Sequence, residues 1–181
     1  KHEIKKNLRS NTNIIITSGA VSAGKFDFVP GIIKDFKQAN FFKGVAIRPG
    51  KPILFSKFKN KNTAFFGLPG NPISSAACFR FFIFPFLSIC LNIKKEKPFK
   101  AKLKNIFIKK KNFTRFIKGK ISFSNKGLIE FEVLKGQESF RINSFTKANS
   151  WGFFPSGKSK FKKGQFIDCF TVLPENEMLI N

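Results

Sequence analysis

The sequence predicts an α/β domain followed by a small all-β barrel domain, and three observations support this fold class. In the first half, short apolar runs alternate with glycine-rich loops and helical segments, as in a sheet covered by helices. A lysine-rich stretch containing Pro98 then suits a linker. The last part consists of short alternating runs separated by turn residues, which is typical of a barrel or sandwich. We therefore assign residues 1–92 to the α/β domain, 93–100 to the linker and 101–181 to the barrel.

Local patterns place the elements of the α/β domain. The run at 12–17 predicts a buried parallel strand, because β-branched residues dominate it and Ser18-Gly19 ends it. Residues 27–38 predict a helix with Pro30 in its first turn, where a proline is tolerated. Further strands are predicted at 41–48, 52–58 and 63–66, followed by a helix that begins at Pro72.

Five short runs in the barrel domain show the alternation expected of half-buried strands. Turn residues such as Asn125-Lys126-Gly127 and Pro155-Ser156-Gly157 separate them. The predicted strands are 104–108, 116–123, 128–134, 151–154 and 165–173.

The formal net charge of +24 raises the question of a nucleic-acid partner, because clustered Lys and Arg neutralise phosphates. Lysine is spread through nearly every segment, however, and the chain has 27 Phe and no Tyr, as an AT-rich coding sequence would produce. We interpret the charge as a solvated surface and do not expect a nucleic-acid partner.

The cysteines and the single histidine argue against two classes of chemistry. Cys78, Cys90 and Cys169 are too far apart for a CxxC pair, and His2 is the only histidine. Zinc chemistry and histidine acid–base catalysis are therefore not expected. Sparse cysteines without disulfide spacing indicate a reducing cytoplasm. Because the chain starts at Lys1 and soon reaches a strand, with no signal peptide, we expect a piece of a longer protein.

The run at 73–91 is nearly apolar and raises the question of a transmembrane helix. Arg80 and Pro85 interrupt it, and three serines add polar groups. We predict a buried helix packed on a sheet, and no membrane partner.

Three glycine-rich loops, at 18–27, 48–52 and 67–72, each follow a short apolar run. Glycine lets backbone N–H groups approach an anion closely, and a loop that opens a helix adds the positive end of that helix. Arg48 and Lys51 flank a Pro-Gly turn and suit an oxyanion. The loops therefore predict a site for a phosphorylated or oxyanionic ligand.

The order and spacing of these loops resemble the molybdopterin molybdenumtransferase family (the MoeA/gephyrin group). Gly67-Leu68-Pro69-Gly70-Asn71-Pro72 is the most specific string, and Gly136-Gln137-Glu138-Ser139 and Ala148-Asn149 follow in the order of the family. The resemblance implies the C-terminal part of a three-layer molybdopterin-binding α/β domain, followed by the C-terminal barrel of the family. It also implies that the N-terminal part, which makes dimer contacts in the family, is missing from this chain.

The activity implied by the resemblance belongs to molybdenum cofactor biosynthesis. It is the Mg²⁺-dependent insertion of molybdate into adenylylated molybdopterin with release of AMP. The resemblance further implies a homodimer for the full-length protein, with molybdopterin adenylyltransferase and apo-molybdoenzymes as protein partners. Two alternatives stay open: a molybdopterin-binding carrier or scaffold without insertase activity, and a basic nucleic-acid-binding protein built on the barrel.

Roles for individual residues are also implied. Asp27 matches an aspartate of the family implicated in catalysis or Mg²⁺ binding, and its alternative role is to cap the following helix. Lys51 is the second implied catalytic residue. The residues implied to bind the cofactor are Ser18, Gly19, Ser22, Gly24, Gly67, Pro69, Gly70, Asn71 and Pro72. Those implied to bind molybdate are Arg48, Lys51, Ser74 and Ser139.

Some positions depart from the family pattern or leave a choice open. Ala20 stands where many members have Gly and is expected to forbid the easiest left-handed backbone geometry, with the alternative that so small a side chain still fits. Lys25 replaces an acid and changes the charge of the loop. In the barrel half, Arg115 or Lys118 matches a family arginine near the oxyanion site. Asn71 is expected to cap the helix that begins at Pro72.

Overall fold

The computed structural model describes residues 1–10, 12–21, 27–59, 61–138 and 140–173. The helices are α1 (His2–Arg9), α2 (Val29–Lys34), α3 (Pro72–Cys78), α4 (Phe84–Cys90) and α5 (Ile142–Thr146), with a π-helical segment at Phe79–Ile83 between α3 and α4. The strands are β1 (Ile14–Ser18), β2 (Gln38–Lys43), β3 (Ile47–Arg48), β4 (Leu54–Phe58), β5 (Ala64–Leu68), β6 (Phe99–Leu103), β7 (Phe107–Ile108), β8 (Thr114–Phe123), β9 (Ile129–Val133), β10 (Ser150–Phe154), β11 (Lys160–Phe161) and β12 (Phe166–Thr171). The chain divides into two compact units: unit 1 is Lys1–Val45 with Gly50–Cys78, and unit 2 is Ala46–Pro49 with Phe79–Asn181.

Unit 1 is built on a four-stranded sheet in the order β1-β5-β4-β2. β1 and β5 are parallel and the other pairs antiparallel. Its core packs Ile4 and Leu8 of α1 and Ile33 of α2 together with Phe58 and Phe65 of the sheet. Because β1 and β5 are parallel, the loops that follow them leave the same edge of the sheet.

Unit 2 contains a closed barrel of five strands. The order β10-β12-β6-β9-β8 is completed by direct pairing of β10 with β8, and the short β3 adds parallel to the start of β8. Phe131, Phe154 and Phe161 fill the centre of the barrel. The mixed α/β architecture followed by a barrel confirms the predicted fold class.

Two element predictions in unit 1 were wrong at their ends. The helix predicted over 27–38 ends at Lys34, because the side-chain amide of Gln38 donates to the carbonyl of Ile33 and Gln38 begins β2. The strand predicted over 41–48 is interrupted at Gly44, whose φ of +82° breaks the extended backbone. Beyond the break, β3 pairs with β8 of the barrel rather than with β4.

Predictions in the barrel half also needed correction. Only Phe107–Ile108 of the strand predicted over 104–108 is extended, and it pairs with β11 in a separate two-stranded ribbon. β6, at Phe99–Leu103, was not predicted because its alternating lysines resemble a solvated linker. Its Ala101 and Leu103 are nevertheless fully buried in the barrel.

By length and composition alone, one helical stretch among the described residues, Pro72–Cys90, could cross a membrane. A single stretch of this kind is weak evidence, because core helices of folded proteins meet the same criterion. The buried Arg80 lies within it, with Nη2 2.6 Å from Oε1 of Glu96 and Nε donating to the carbonyl of Thr171. Phe81 stacks on Phe116 of β8 with ring centroids 3.8 Å apart. These contacts match the predicted packing on a sheet, but only 39% of the stretch is buried and Ile89 is exposed, so the prediction of a buried helix was wrong for much of its length.

Candidate functional site

The first and third glycine-rich loops meet at the edge of the sheet where β1 and β5 end. The N–H of Gly19 donates to the carbonyl of Leu68 at 2.9 Å, and the hydroxyl of Ser18 donates to the carbonyl of Pro69 at 3.5 Å. A Cβ added to Gly70 would lie 3.4 Å from Cα of Gly19. The absence of side chains at these two glycines therefore allows the close approach of the two loops.

Ala20 takes the left-handed conformation with φ +55°, so the expectation that an alanine would forbid it was wrong. This conformation costs a non-glycine residue roughly 1–2 kcal/mol. The carbonyl of Ala20 accepts the N–H of Val29, the first residue of α2. The family-implied residues Ser22, Gly24 and Ser139, and the departure at Lys25, lie outside the described residues.

A cavity of about 260 Å³ lies at this edge, within unit 1. Five residues that the sequence singled out line it: Asp27, Pro69, Gly70, Asn71 and Ser74. Three more residues line it for which no ligand-binding role was predicted: Ala20, Val21 and Pro52. All three belong to the glycine-rich loops at 18–27 and 48–52. Their position in those loops could therefore have identified them as lining residues. Asp27 is the carboxylate of this cavity.

Four of the described residues implied to bind the cofactor do not line the cavity: Ser18, Gly19, Gly67 and Pro72. Gly67 lies within β5, where an added Cβ would be 2.7 Å from Cγ1 of Val21, so its contribution is to admit that side chain. Pro72 is the first residue of α3. Gly67 and Pro72 therefore belong to the elements on either side of the loop and do not contact the cavity.

Asn71 caps α3, as predicted. Its Oδ1 accepts the N–H groups of Ile73 at 3.1 Å and Ser74 at 3.2 Å. Those two N–H groups are therefore occupied by the cap, and the hydroxyl of Ser74 is the group on this turn that remains suited to a ligand. The N-cap position of α2 is Phe28, the residue that follows Asp27.

Removal of this cap is expected to cost about 1 kcal/mol of unfolding free energy, as is typical of N-cap asparagines. Asn71→Ala should show this loss in a urea titration, and Asn71→Asp, which keeps an acceptor oxygen, should retain most of the stability. Equal stability of Asn71→Ala and the unaltered protein would contradict the capping geometry.

The second loop contributes its two cations to different units. Arg48 is the second residue of β3 in unit 2, whereas Lys51 belongs to unit 1. The loop is held by backbone hydrogen bonds, from Val45 N–H to the carbonyl of Lys51 and from Ile53 N–H to the carbonyl of Gly50. Gly50 has a φ of +101°, which explains why a glycine is required in this turn.

A cluster of cations lies at the start of β8 in unit 2. Arg48 and Arg115 are direct neighbours on the paired strands β3 and β8, so their side chains share one face. The guanidinium of Arg48 lies over the ring of Phe113, 4.7 Å from its centroid. The buried Nε of Arg115 has no hydrogen-bond partner, and no ion pair among the described residues involves either guanidinium.

The pKa values of two cations in this cluster are lowered by burial and by repulsion from a neighbouring positive charge. Burial lowers the pKa of Arg115, and the charge of Arg48 lowers it further. Burial also lowers the pKa of Lys109, with a smaller contribution from Arg115. Two adjacent guanidinium groups with no carboxylate partner are the arrangement expected of a site that takes an anion.

Lys118 differs from Arg115, although the sequence left the choice between them open. Residues alternate between the two faces of a strand, so Lys118 lies on the opposite face of β8. Its ammonium donates to the carbonyls of Gly136, Glu138 and Arg141 at 2.8, 3.2 and 3.3 Å. An ammonium has three donors, and all three are used within the protein.

The cysteines and the clustering of metal-ligand side chains can be described for the residues that the structure covers. Burial raises the pKa of both Cys78 and Cys169 to about 12, so both thiols are protonated at neutral pH. No group of three or more His, Cys, Asp or Glu side chains that could hold a metal ion occurs among the described residues.

Comparison with protein-family models finds two matches along the chain. Residues 1–88 match the probable molybdopterin binding domain, and residues 100–172 match the MoeA C-terminal region (domain IV).

Curated relatives named molybdopterin molybdenumtransferase match most of the chain. The protein from Synechocystis is 31% identical over 158 residues, covering 87% of this chain and 37% of the relative. The protein from Haemophilus influenzae is 30% identical over 174 residues, covering 94% and 42%. The protein from Staphylococcus aureus (strain COL) is 32% identical over 178 residues, covering 97% and 41%. The chain thus spans about two fifths of the length of these relatives.

Solved structures share the fold. A molybdopterin biosynthesis moeA protein from Pyrococcus horikoshii superposes with a TM-score of 0.67 at 22% identity, covering 93% of this chain and 37% of that one. A molybdenum cofactor biosynthesis protein from Pyrococcus furiosus superposes with a TM-score of 0.67 at 18% identity, covering 93% and 52%.

Proposed function

Because the chain belongs to the molybdopterin molybdenumtransferase family, we propose that it provides the molybdopterin-binding and barrel parts of an enzyme that inserts molybdate into adenylylated molybdopterin and releases AMP. One observation carries the proposal: the loops after the parallel strands β1 and β5 meet around a cavity that contains Asp27. Ligands of open α/β sheets bind at the carboxyl ends of parallel strands, which is where this cavity lies.

The adenylylated molybdopterin is expected at the loops of unit 1. Ser18 and Gly19 are hydrogen-bonded to the carbonyls of Pro69 and Leu68, so the first and third loops lie side by side. The hydroxyl of Ser74, in the first turn of α3, lines the same cavity. Since the cap occupies the N–H groups of Ile73 and Ser74, we expect side-chain hydroxyls to contribute much of the anion binding here. Ser22 and Gly24 complete the proposed set of cofactor ligands.

Mg²⁺ is a proposed component of this site, and Asp27 is its proposed ligand. Mg²⁺ in phosphate-binding sites is commonly held by one or two carboxylates together with substrate phosphates. Asp27 supplies the carboxylate among the lining residues, beside the Ser74 hydroxyl and the Asn71 amide, and this combination fits that pattern. The rest of the lining is Gly70 and the apolar side chains of Ala20, Val21, Pro52 and Pro69. When bound, the ion supplies charge neutralisation to the phosphoanhydride. Asp27 itself would orient the phosphate end of the substrate.

We propose that molybdate is bound by the two cations of the second loop, Arg48 and Lys51. The side chains of Ser74 and Ser139 complete this set of proposed ligands. To this set we add Arg115 rather than Lys118. Arg115 adjoins Arg48 and has an unpartnered buried Nε, whereas the ammonium of Lys118 is fully engaged by carbonyls. A planar guanidinium pair can offer several parallel N–H donors to an oxyanion.

This assignment predicts two opposite effects of Arg115→Met. Removing a half-buried cation beside Arg48 should raise the unfolding free energy in anion-free buffer by about 1 kcal/mol. The same change should weaken molybdate binding by about tenfold or more, since a charge-assisted hydrogen bond is lost. Thermal unfolding with and without molybdate measures both effects.

Arg9→Met, an exposed arginine of α1, is the matched control and should change neither quantity. If Arg115→Met lowers stability without anion and leaves molybdate binding intact, Arg115 is a structural residue and the assignment is wrong.

The remaining features of the proposal concern organisation. We propose an α/β domain at 1–92, a linker at 93–100 and a barrel domain at 101–181, acting in the cytoplasm within a homodimer. Molybdopterin adenylyltransferase would supply the substrate and apo-molybdoenzymes would take the product.

The carrier alternative predicts tight molybdopterin binding without molybdate-dependent AMP release. The nucleic-acid alternative predicts salt-dependent oligonucleotide binding that is indifferent to Lys51.

A further inference from the structure

Lys109 is a buried cation that the proposed set of ligands leaves out. It lies in unit 2, at the start of the turn at 109–113 that joins β7 to β8, and only 6% of the residue is exposed. Its ammonium donates to the carbonyls of Lys110 at 3.3 Å and Phe113 at 2.8 Å. The side chain of the first residue of the turn thus binds the carbonyl of the last.

This ammonium is held at an electrostatic cost. Burial lowers the pKa of Lys109, and the positive charge of Arg115 lowers it further. Among the ion pairs of the described residues, none involves Lys109. A buried cation without a carboxylate partner destabilises a fold unless hydrogen bonds replace its lost hydration. The two carbonyls of the turn supply such bonds, so Lys109 and the shape of the turn depend on each other.

The turn carries the aromatic ring that supports Arg48. The guanidinium of Arg48 lies over Phe113, 4.7 Å from the ring centroid. Phe113 is also the residue whose carbonyl accepts the stronger of the two Lys109 hydrogen bonds, and β8 begins directly after it. A continuous series of contacts therefore runs from the ammonium of Lys109, through Phe113, to Arg48, which pairs with Arg115 across the two strands.

The side chain of Arg48 benefits from such a support. Arg48 is the second residue of a two-residue strand, and a long arginine side chain has many rotamers when nothing holds it. An aromatic face holds a guanidinium over its ring through cation–π attraction and stacking. A side chain that is ordered before the anion arrives loses less entropy on binding, which is worth about two- to tenfold in affinity for one such side chain.

We propose that Lys109 is a positioning residue for oxyanion binding: its ammonium fixes the carbonyl of Phe113, and the Phe113 ring holds the Arg48 guanidinium in the orientation that binds the anion. The inference rests on the proposed function, in which Arg48 and Arg115 bind molybdate. Lys109 acts through Phe113 and does not itself contact the anion. Groups that fix the orientation of binding residues strengthen binding without adding a contact to the ligand.

The test begins with Lys109→Met, which removes the donors and the charge and keeps most of the side-chain length. The lost hydrogen bonds and the relieved repulsion with Arg115 act in opposite directions on stability, so we expect the melting temperature to shift by only a few degrees. The affinity for molybdate, measured by calorimetry, should fall about three- to tenfold.

Lys158→Met is the matched control. The ammonium groups of Lys109 and Lys158 lie 5.9 and 5.0 Å from the centroid of the same ring, that of Phe161. Lys158 is exposed, however, and its ammonium donates to the side chain of Gln165 rather than to the turn. The variant removes an equal charge from the same part of the barrel and should leave the affinity for molybdate unchanged.

The orientation of Arg48 can be measured directly by NMR, with the signal assigned through Arg48→Lys. Because ring currents shield protons held over the face of an aromatic ring, the Nε–H proton of Arg48 should resonate upfield of the exposed arginines. Lys109→Met should move this signal towards the exposed arginines, whereas Lys158→Met should leave it in place. An Arg48 signal that does not move in Lys109→Met would overturn the inference.

Phe113→Leu separates positioning from a general effect of charge. If Lys109 acts through Phe113, Phe113→Leu should itself weaken molybdate binding, and adding Lys109→Met should cost little more. A charge that acts through space would lower the affinity by the same factor in both backgrounds, and that result would overturn the inference. Unchanged affinity in Phe113→Leu would also overturn it. Because Phe113→Leu keeps the buried ammonium and its acceptors, it tests the support of Arg48 even if Lys109→Met does not fold.

Failure of the proposed function gives a different result. If the unaltered protein binds molybdate but releases no AMP, the proposed insertase activity is wrong, while the affinities and the Arg48 signal still decide the role of Lys109. If the unaltered protein binds no molybdate at all, both fail together. All measurements use the longest polypeptide that the gene encodes.

Discussion

Gly119→Ala is expected to destabilise the barrel by about 3 kcal/mol or more, at the upper end of the cost of overpacking a core. A Cβ on Gly119 would lie 2.0 Å from Cζ and 2.2 Å from Cε2 of Phe131, whose ring is fully buried. The ring has no room to retreat, because a Cβ on Gly152 of the neighbouring strand would be only 2.6 Å from the same Cζ. Thermal and urea unfolding of the variant measure the loss.

Two further variants define the cause. Phe131→Leu in the Gly119→Ala background should recover part of the loss, since the smaller side chain makes room for the new methyl group. Gly31→Ala in α2 meets no atom within 4 Å and should instead raise stability by roughly 0.5–1 kcal/mol, because alanine is the better helix former. A Gly119→Ala protein that unfolds at the same urea concentration as the unaltered one would contradict the packing described for the barrel.

Lys51→Ala and Asp27→Asn are expected to lower molybdate-dependent AMP release by at least about a hundredfold each, the usual effect of removing one group that stabilises charge in a transition state. Lys51→Ala should act mainly by weakening molybdate binding. Asp27→Asn should leave molybdate binding nearly unchanged and reduce the maximal rate. Release of AMP, measured over a range of molybdate concentrations, separates the two effects.

Lys59→Ala, an exposed lysine just after β4, is the control for the general loss of positive charge. It should release AMP at the rate of the unaltered protein. Equal losses in Lys51→Ala and Lys59→Ala would mean that the overall charge, and not the second loop, attracts molybdate.

Much of unit 1 followed from sequence because its determinants are local. The β-branched run before Ser18-Gly19 predicted β1, and Asn71-Pro72 predicted both the start of α3 and its cap. Local patterns could not predict which strands, far apart in the sequence, pair with each other. β3 has only two residues, and its pairing with β8 depends on contacts between segments far apart in the chain.

The choice between Arg115 and Lys118 shows the same limit. Strand alternation puts Arg115 with Ile117 and Gly119 on one face and Lys118 on the other, which the sequence could have shown. It could not show that the carbonyls of Gly136, Glu138 and Arg141 take the three donors of Lys118. Ala20 is a second case, since its left-handed backbone is imposed by the neighbouring loop contacts against the preference of alanine.

The central claim is that this chain takes part in molybdate insertion, and its most direct test is AMP release from adenylylated molybdopterin. The assay uses the longest polypeptide that the gene encodes, with Mg²⁺, and compares samples with and without molybdate. The account predicts AMP release that requires molybdate and disappears in Lys51→Ala. Tight binding of adenylylated molybdopterin without any molybdate-dependent AMP release would contradict the account and identify the protein as a carrier.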